Sequence, residues 1–291
     1  MQPNLKQLHQ SAIKYLNEGK VQLAHKSLVE LVSHKPDFAD GYFLLAMVNL
    51  QVGQIYKAIK LIEKALTLGS SIEYTAQLAK CYALTGDLKK AKNVALSVPI
   101  TQIKKAFDAD TLGVALTQAG LHEHALHYFE CALTLANAKQ QPKPQFYYNF
   151  AVSAKFLGLF DKAHTAFEHA IALNPLHHQS HFALSDLTKV TKQKNNITRL
   201  KQVFEQVSHP DAKLHIGHAL AKEYQDIGAF SDAFTALQQG KAAKHSLTPF
   251  DNASSNALFE HIKQLSAKHK NQQVNGNPTA EPIFVLGMPR S

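Results

Sequence analysis

Residues 39–72, ADGYFLLAMVNLQVGQIYKAIKLIEKALTLGSSI, decide the fold of this chain. Tyr42, Leu45, Ala46 and Leu50 recur at spacings of three and four, which puts them on one face of a helix ending at Gly53. Ala58, Ile59, Ile62, Ala65 and Leu66 keep the same period in a second helix. Gly53 stands between the two, where a reversal needs a residue that accepts positive φ. The stretch therefore predicts a helix hairpin. A hairpin cannot bury both apolar faces alone, so copies must stack.

Copies are present from Leu5 to about Lys241. The turn glycine returns at Gly19, Gly53, Gly86, Gly120, Gly158 and Gly228, in steps of 34, 33, 34, 38 and 70 residues. An alanine stands five residues after each: Ala24, Ala58, Ala91, Ala125, Ala163 and Ala233. Seven before each stands another small residue: Ala12, Ala46, Ala79, Gly113, Ala151 and Ala221. Small residues at both places let the two helices approach closely, and a large side chain there would cost about 1–3 kcal/mol of overpacking.

These columns resemble the tetratricopeptide repeat. Tyr15, Tyr82 and Tyr224 match its aromatic place four before the glycine, Phe129 and Phe167 its bulky place in the second helix, and Pro36 and Pro175 its terminal proline. Asn49 and Thr117 depart from the pattern near the aromatic place, and the consensus tryptophan is absent. The resemblance covers residues 1–245 and implies an all-α, right-handed superhelical solenoid of about seven helix pairs with a concave groove. Ala138–Pro144 inserts two prolines, which explains the 38-residue step as an exposed connection. A degenerate sixth pair is expected between Gly158 and Gly228, where Lys192 takes the glycine place and Thr198 the alanine place. Its helices survive in Phe182, Leu184 and Leu187 and in Ile197, Leu200, Val203 and Phe204.

The inner helix positions name a groove lined by His9, Ile13, Phe43, Met47, Glu73, Lys80, Phe107, Val114, Tyr148 and Val152. Family members that clamp acidic chaperone tails carry lysine, asparagine and arginine at set places. Here those places hold His9, Ile13, Leu44, Glu73 and Gln77, which argues against that partner. Another peptide, a partner protein or the chain's own downstream domain fits the groove as implied by the resemblance.

Residues 246–270 include an amphipathic helix through Leu258, Phe259, Ile262 and Leu265, suited to cap the last apolar face. Residues 271–281 are rich in Asn, Gln, Gly and Pro and read as a flexible linker. Residues 282–291 change character. Pro282-Ile283-Phe284-Val285-Leu286 reads as a buried strand and runs into Gly287-Met288-Pro289-Arg290-Ser291. The loop lacks the Gly-x-x-x-x-Gly-Lys of ordinary nucleotide-triphosphate sites.

It resembles the opening of the 5′-phosphosulfate-binding loop of sulfotransferases similar to tyrosylprotein sulfotransferases, Gly-x-Pro-Arg-Ser-Gly-Thr-Thr, matched here by Gly287, Pro289, Arg290 and Ser291. Repeats placed ahead of such a domain are also a known order in bacterial proteins. The resemblance implies transfer of a sulfuryl group from 3′-phosphoadenosine-5′-phosphosulfate to a hydroxyl of a protein tyrosine, a sugar, a lipid or a small phenol. It implies that Arg290 binds the phosphosulfate and offsets charge on the leaving phosphate, and that Ser291 adds a hydrogen bond. The general base and the 3′-phosphate site are expected beyond Ser291, and residues 1–291 alone are expected to lack transferase activity. A different phosphate-binding domain, or a non-catalytic repeat scaffold with an incidental tail, stays open at this point.

Composition narrows the field. The formal charge is +9, but the lysines are scattered and Arg199 and Arg290 are the only arginines, so a nucleic-acid surface is not expected. The excess reads as a solvated surface with a weak pull on acidic partners. Met1–Gln10 holds no apolar run of signal-peptide length and no window approaches the roughly 18 apolar residues of a membrane span, so the expectation is a cytoplasmic protein without a membrane partner. Cys81 and Cys131 share no ligand spacing and read as small apolar residues. The groups His122, His124, His127 and His177, His178, His181 read as exposed polar residues at helix starts, and no metal is expected.

Overall fold

The computed structural model of the chain describes residues 4–245, 247 and 251–269. Among them are fifteen α-helices and no strand. Seven hairpins follow one another: α1 Leu5–Asn17 with α2 Val21–His34, α3 Ala39–Gln51 with α4 Ile55–Leu68, α5 Ile72–Leu84 with α6 Leu88–Leu96, and α7 Ala106–Gln118 with α8 His122–Ala138. Then come α9 Pro144–Phe156 with α10 Phe160–Leu173, α11 His178–Ser185 with α12 Ile197–Gln206, and α13 Pro210–Asp226 with α14 Phe230–His245. The helices form one compact unit through Lys244.

The glycine column does what its spacing predicts. All six turn glycines have φ between +69° and +80°, in the left-handed region that costs a side chain about 1–2 kcal/mol. The small-residue columns are fully buried through the first five pairs, from Ala12 and Ala24 to Ala163. Gly113 is the one column member without a Cβ before the degenerate pair, and the reason is Phe129. A Cβ built on Gly113 would lie 2.5–2.9 Å from the Phe129 ring. In the seventh pair Ala221 and Ala233 are only half-buried, and the close approach has moved to Gly217 and Gly240. A Cβ on Gly217 would meet the Gly240 Cα at 2.7 Å, so α13 and α14 touch backbone to backbone.

Curvature follows from which helices meet. The first helices of successive pairs pack on one another, most closely α5 on α7 and α11 on α13, while the principal contacts of each second helix are with first helices. A stack in which one row touches and the other is spread bends toward the touching row, so the first helices line the inner face. Their apolar cores are shared from pair to pair. Leu44 and Leu61 pack against both the cluster around Leu28 and the one around Leu112, and Phe150 joins the latter to the cluster around Phe167.

That continuity stops at the sixth pair. The cluster around Phe167 ends at Leu187, the next is centred on Leu200 and Ile216, and the two share no residue. Helix α11 has only eight residues, and residues 186–196 replace the glycine turn. Polar bonds join the two cores instead. Glu223, fully buried in α13, accepts from the Ser185 hydroxyl at 2.9 Å, the Asn196 amide at 2.6 Å and the Asn196 side chain at 3.0 Å. Arg199 grips both oxygens of Glu168 at 2.8 and 3.0 Å, tying α12 to α10. The expected degenerate pair is thus present, held by a polar joint.

The second unit, described by itself, contains helix α15, Asn252–His269, with Leu258, Phe259, Ile262 and Leu265 exposed. The expected linker at 271–281 and the expected strand and loop at 282–291 lie outside the described residues.

Candidate functional site

The inner face is built from the same register of every first helix. Of the groove residues named from sequence, Ile13 and Phe107 are exposed, and Met47, Lys80, Val114, Tyr148 and Val152 are half-buried along the face. Phe43 differs. It is buried because Tyr74, one repeat on, stacks over it with centroids 4.3 Å apart. Tyr74 therefore presents the surface expected of Phe43.

Polar pairs cross the face from each first helix to the next. His9 Nε2 meets Asp40 Oδ2 at 2.5 Å, and the Tyr74 hydroxyl donates to Asp40 Oδ1 at 2.9 Å, so one carboxylate links α1, α3 and α5. Burial, reinforced by the bond to Asp40, holds the Tyr74 phenol well above its ordinary pKa. Lys105 donates to Glu73 at 2.7 Å, Asn149 to Asp110 at 2.8 Å and Lys155 to Asp186 at 2.5 Å. Sequence reasoning named His9, Glu73 and Lys80 but missed Asp40, Asp110 and Asn149. Pairs separated by one repeat length were the available signal.

Asp110 is the most perturbed acid of the groove. It is 7% exposed, and burial pushes its carboxyl up to about 6, against the opposing pull of the Asn149 amide and Lys80. A native value above the unfolded one means that this group favours the fold most at low pH. Its contribution is complete below about pH 4, the unfolded value, and is lost as pH rises through about 6. Titration of the Asp110 carboxyl carbon by NMR is expected to show a midpoint near 6, and Asp110→Asn is expected to remove that pH dependence of stability. A midpoint at 4 or below would contradict the burial argument.

The histidines divide. His124 and His127 are exposed as expected, whereas His177 and His181 are buried and His178 is half-buried, which corrects their reading as exposed helix starts. The turn at Pro175 folds the start of α11 inward. His181 bonds the Pro175 carbonyl at 2.9 Å, and His177 bonds Ser180 at 2.8 Å beside Tyr148. His178 stacks on His215 of α13 with Nδ1 atoms 2.7 Å apart, and Phe182 stacks on His215 as well. Burial lowers the pKa of His178, His215 and His218. No group of three metal-ligating side chains converges among the described residues. Both cysteines are free, and burial pushes the Cys81 thiol up to about 11, which makes it inert at neutral pH. No described helix is long and apolar enough to cross a membrane. Gly287, Pro289, Arg290 and Ser291 lie outside the described residues.

Comparison with known proteins agrees with this geometry. The tetratricopeptide-repeat model matches residues 39–68 and 144–175, which are the α3–α4 and α9–α10 hairpins. No curated protein matches the sequence. Among solved structures, the chain resembles one in the APC/C hetero-tetramer Cut9–Hcn1, with a TM-score of 0.57 and 16% identity over 81% of this chain and 43% of that one. It thus spans less than half the length of that relative. A tetratricopeptide repeat protein from Parabacteroides merdae gives 0.53 with 16% identity, covering 81% of this chain and 98% of its own. Pseudomonas aeruginosa pilF gives 0.54 with 18% identity, covering 77% and 98%. At these identities the likeness is one of fold. The chain carries tetratricopeptide repeats and has the all-α fold of a tetratricopeptide-repeat solenoid.

Proposed function

We propose that residues 1–245 form a protein-interaction module whose inner groove receives an extended segment of a partner protein, and that the module serves a sulfotransferase domain beginning at Pro282. The groove carries the first part. Its face alternates exposed apolar side chains, Ile13 and Phe107 among them, with polar pairs whose spare hydrogen-bonding capacity suits a peptide backbone. The partner is a cytoplasmic protein or the chain's own downstream domain.

The second part rests on the sequence of residues 282–291 and its place after repeats, helix α15 and a Gly/Pro-containing linker. 3′-Phosphoadenosine-5′-phosphosulfate, when bound, supplies the sulfuryl group. Gly287 and Pro289 would shape the turn, Arg290 would offer a planar pair of donors to the phosphosulfate, and Ser291 a hydroxyl donor. No residue of 1–291 is assigned as general base.

The reading frame beyond Ser291 tests this directly. Continuation as Gly-Thr-Thr into alternating strands and helices supports the enzyme. Continuation without that loop leaves a non-catalytic scaffold that binds through the groove.

A further inference from the structure

The outer face of the solenoid holds a site that the groove reading does not use. Because the second helices are spread apart, a trough opens between each neighbouring two of them, with the intervening first helix as its floor. In two of these troughs a tyrosine on the floor, four before the turn glycine, rises to fill it. Tyr82 does so between α4 and α6, where its hydroxyl donates to Glu63 at 2.5 Å and Lys90 lies 5.1 Å over its ring. Tyr224 does the same beside α12, with Lys201 at 5.6 Å.

Between α2 and α4 that residue is Asn49, which turns back to its own helix and donates to the Leu45 carbonyl at 2.8 Å. The trough stays open, with a volume of about 680 Å³, against about 360 and 300 Å³ for the troughs beside Tyr147 and Tyr224. Its walls are apolar, from Val29 of α2, Val48 of α3 and Leu61 of α4. Its rim is basic, with Lys57, Lys60 and His25 and no carboxylate. Lys57 stands four residues after Gly53 as Lys90 stands four after Gly86, so the cation that covers the Tyr82 ring has a counterpart here without a ring beneath it. Where Glu63 would meet a phenol, this trough has Val29.

We propose that this outer trough is a binding site for a partner segment that carries an aromatic side chain flanked by carboxylates. The ring takes the place left by Asn49, under Lys57 and against Val29, Val48 and Leu61. The flanking carboxylates pair with Lys57 and Lys60, neither of which forms an ion pair among the described residues. An apolar site inside a one-signed rim selects by both terms together: the ring supplies burial and cation–π attraction, and the rim rejects basic segments.

The chain contains no tryptophan, so a tryptophan-bearing peptide reports its own burial by fluorescence. The probe is acetyl-Glu-Asp-Trp-Glu-Asp-amide added to the full 291-residue chain. Its emission is expected to shift to the blue on saturable binding, and the same peptide with lysines in place of the acids is expected to bind roughly tenfold more weakly or worse. Asn49→Tyr supplies the missing ring from within and is expected to abolish the shift while keeping or raising the melting temperature. Lys57→Glu, an exposed change, is expected to weaken binding roughly tenfold with the fold intact. Phe107→Ala, on the inner groove, is expected to change nothing. Absence of a shift with the unmodified chain, a shift that survives Asn49→Tyr, or loss of the shift on Phe107→Ala would each overturn the proposal.

Discussion

Phe129→Ala is expected to destabilise the central pairs by about 3–5 kcal/mol, toward the upper end of what large-to-small core changes cost. The ring is 1% exposed at the heart of the longest apolar cluster, which runs from Phe43 to Ala132. Its partner across α7 is Gly113, which has no side chain to fall into the hole. Neighbouring pairs depend on one another in a stacked fold, so protection from hydrogen exchange should fall in α5 and α7 as well as in α8. The same geometry predicts coupling. Gly113→Ala should destabilise the native chain by driving a methyl into the ring, yet recover part of the loss in the Phe129→Ala background. Urea unfolding monitored with local exchange measures both; a loss below about 1 kcal/mol for Phe129→Ala would mean that the cluster repacks freely.

Glu223→Ala is expected to cost about 2–4 kcal/mol and to separate the last pair from the rest. The carboxylate is fully buried and serves three donors, two of them from Asn196 and one from Ser185, at the only place where neighbouring apolar clusters share no residue among the described parts of the solenoid. Alanine removes the acceptor and leaves the buried Ser185 hydroxyl and the half-buried Asn196 donors without this partner. Exchange protection should therefore collapse in α13 and α14 while α1 to α10 keep theirs. A uniform loss along the chain would show that the polar joint is not a boundary.

Much of this architecture was legible because backbone geometry writes itself into residue size. A reversal that needs positive φ leaves glycine, and a close helix crossing leaves alanine, so three columns in phase located six turns to the residue. The degenerate pair was legible for the converse reason, since its apolar period outlived its glycine. Contacts between repeats were not legible one residue at a time. Phe43 looks like a groove residue until Tyr74 is placed over it, and Asp110 looks like part of a solvated face until Asn149 closes on it from beyond the proline-containing insertion. His177 and His181 gave no sign of burial because the partners that hold them, Ser180 and the Pro175 carbonyl, are fixed only in the folded turn and helix. Asn49 was visible as a departure from the aromatic place, but only the open trough shows that the departure leaves a space.

An interaction module joined to a sulfuryl-transfer domain should show itself in a transfer assay. The complete reading frame that contains residues 1–291 is expressed, supplied with labelled 3′-phosphoadenosine-5′-phosphosulfate and a panel of tyrosine peptides, sugars and phenols, and followed for label transfer. Transfer is expected from the whole protein, with its loss on Arg290→Ala while binding through residues 1–245 is retained, and none from residues 1–291 alone. Transfer that survives Arg290→Ala, transfer by residues 1–291 alone, or a frame that continues past Ser291 without Gly-Thr-Thr and shows no transfer would contradict it.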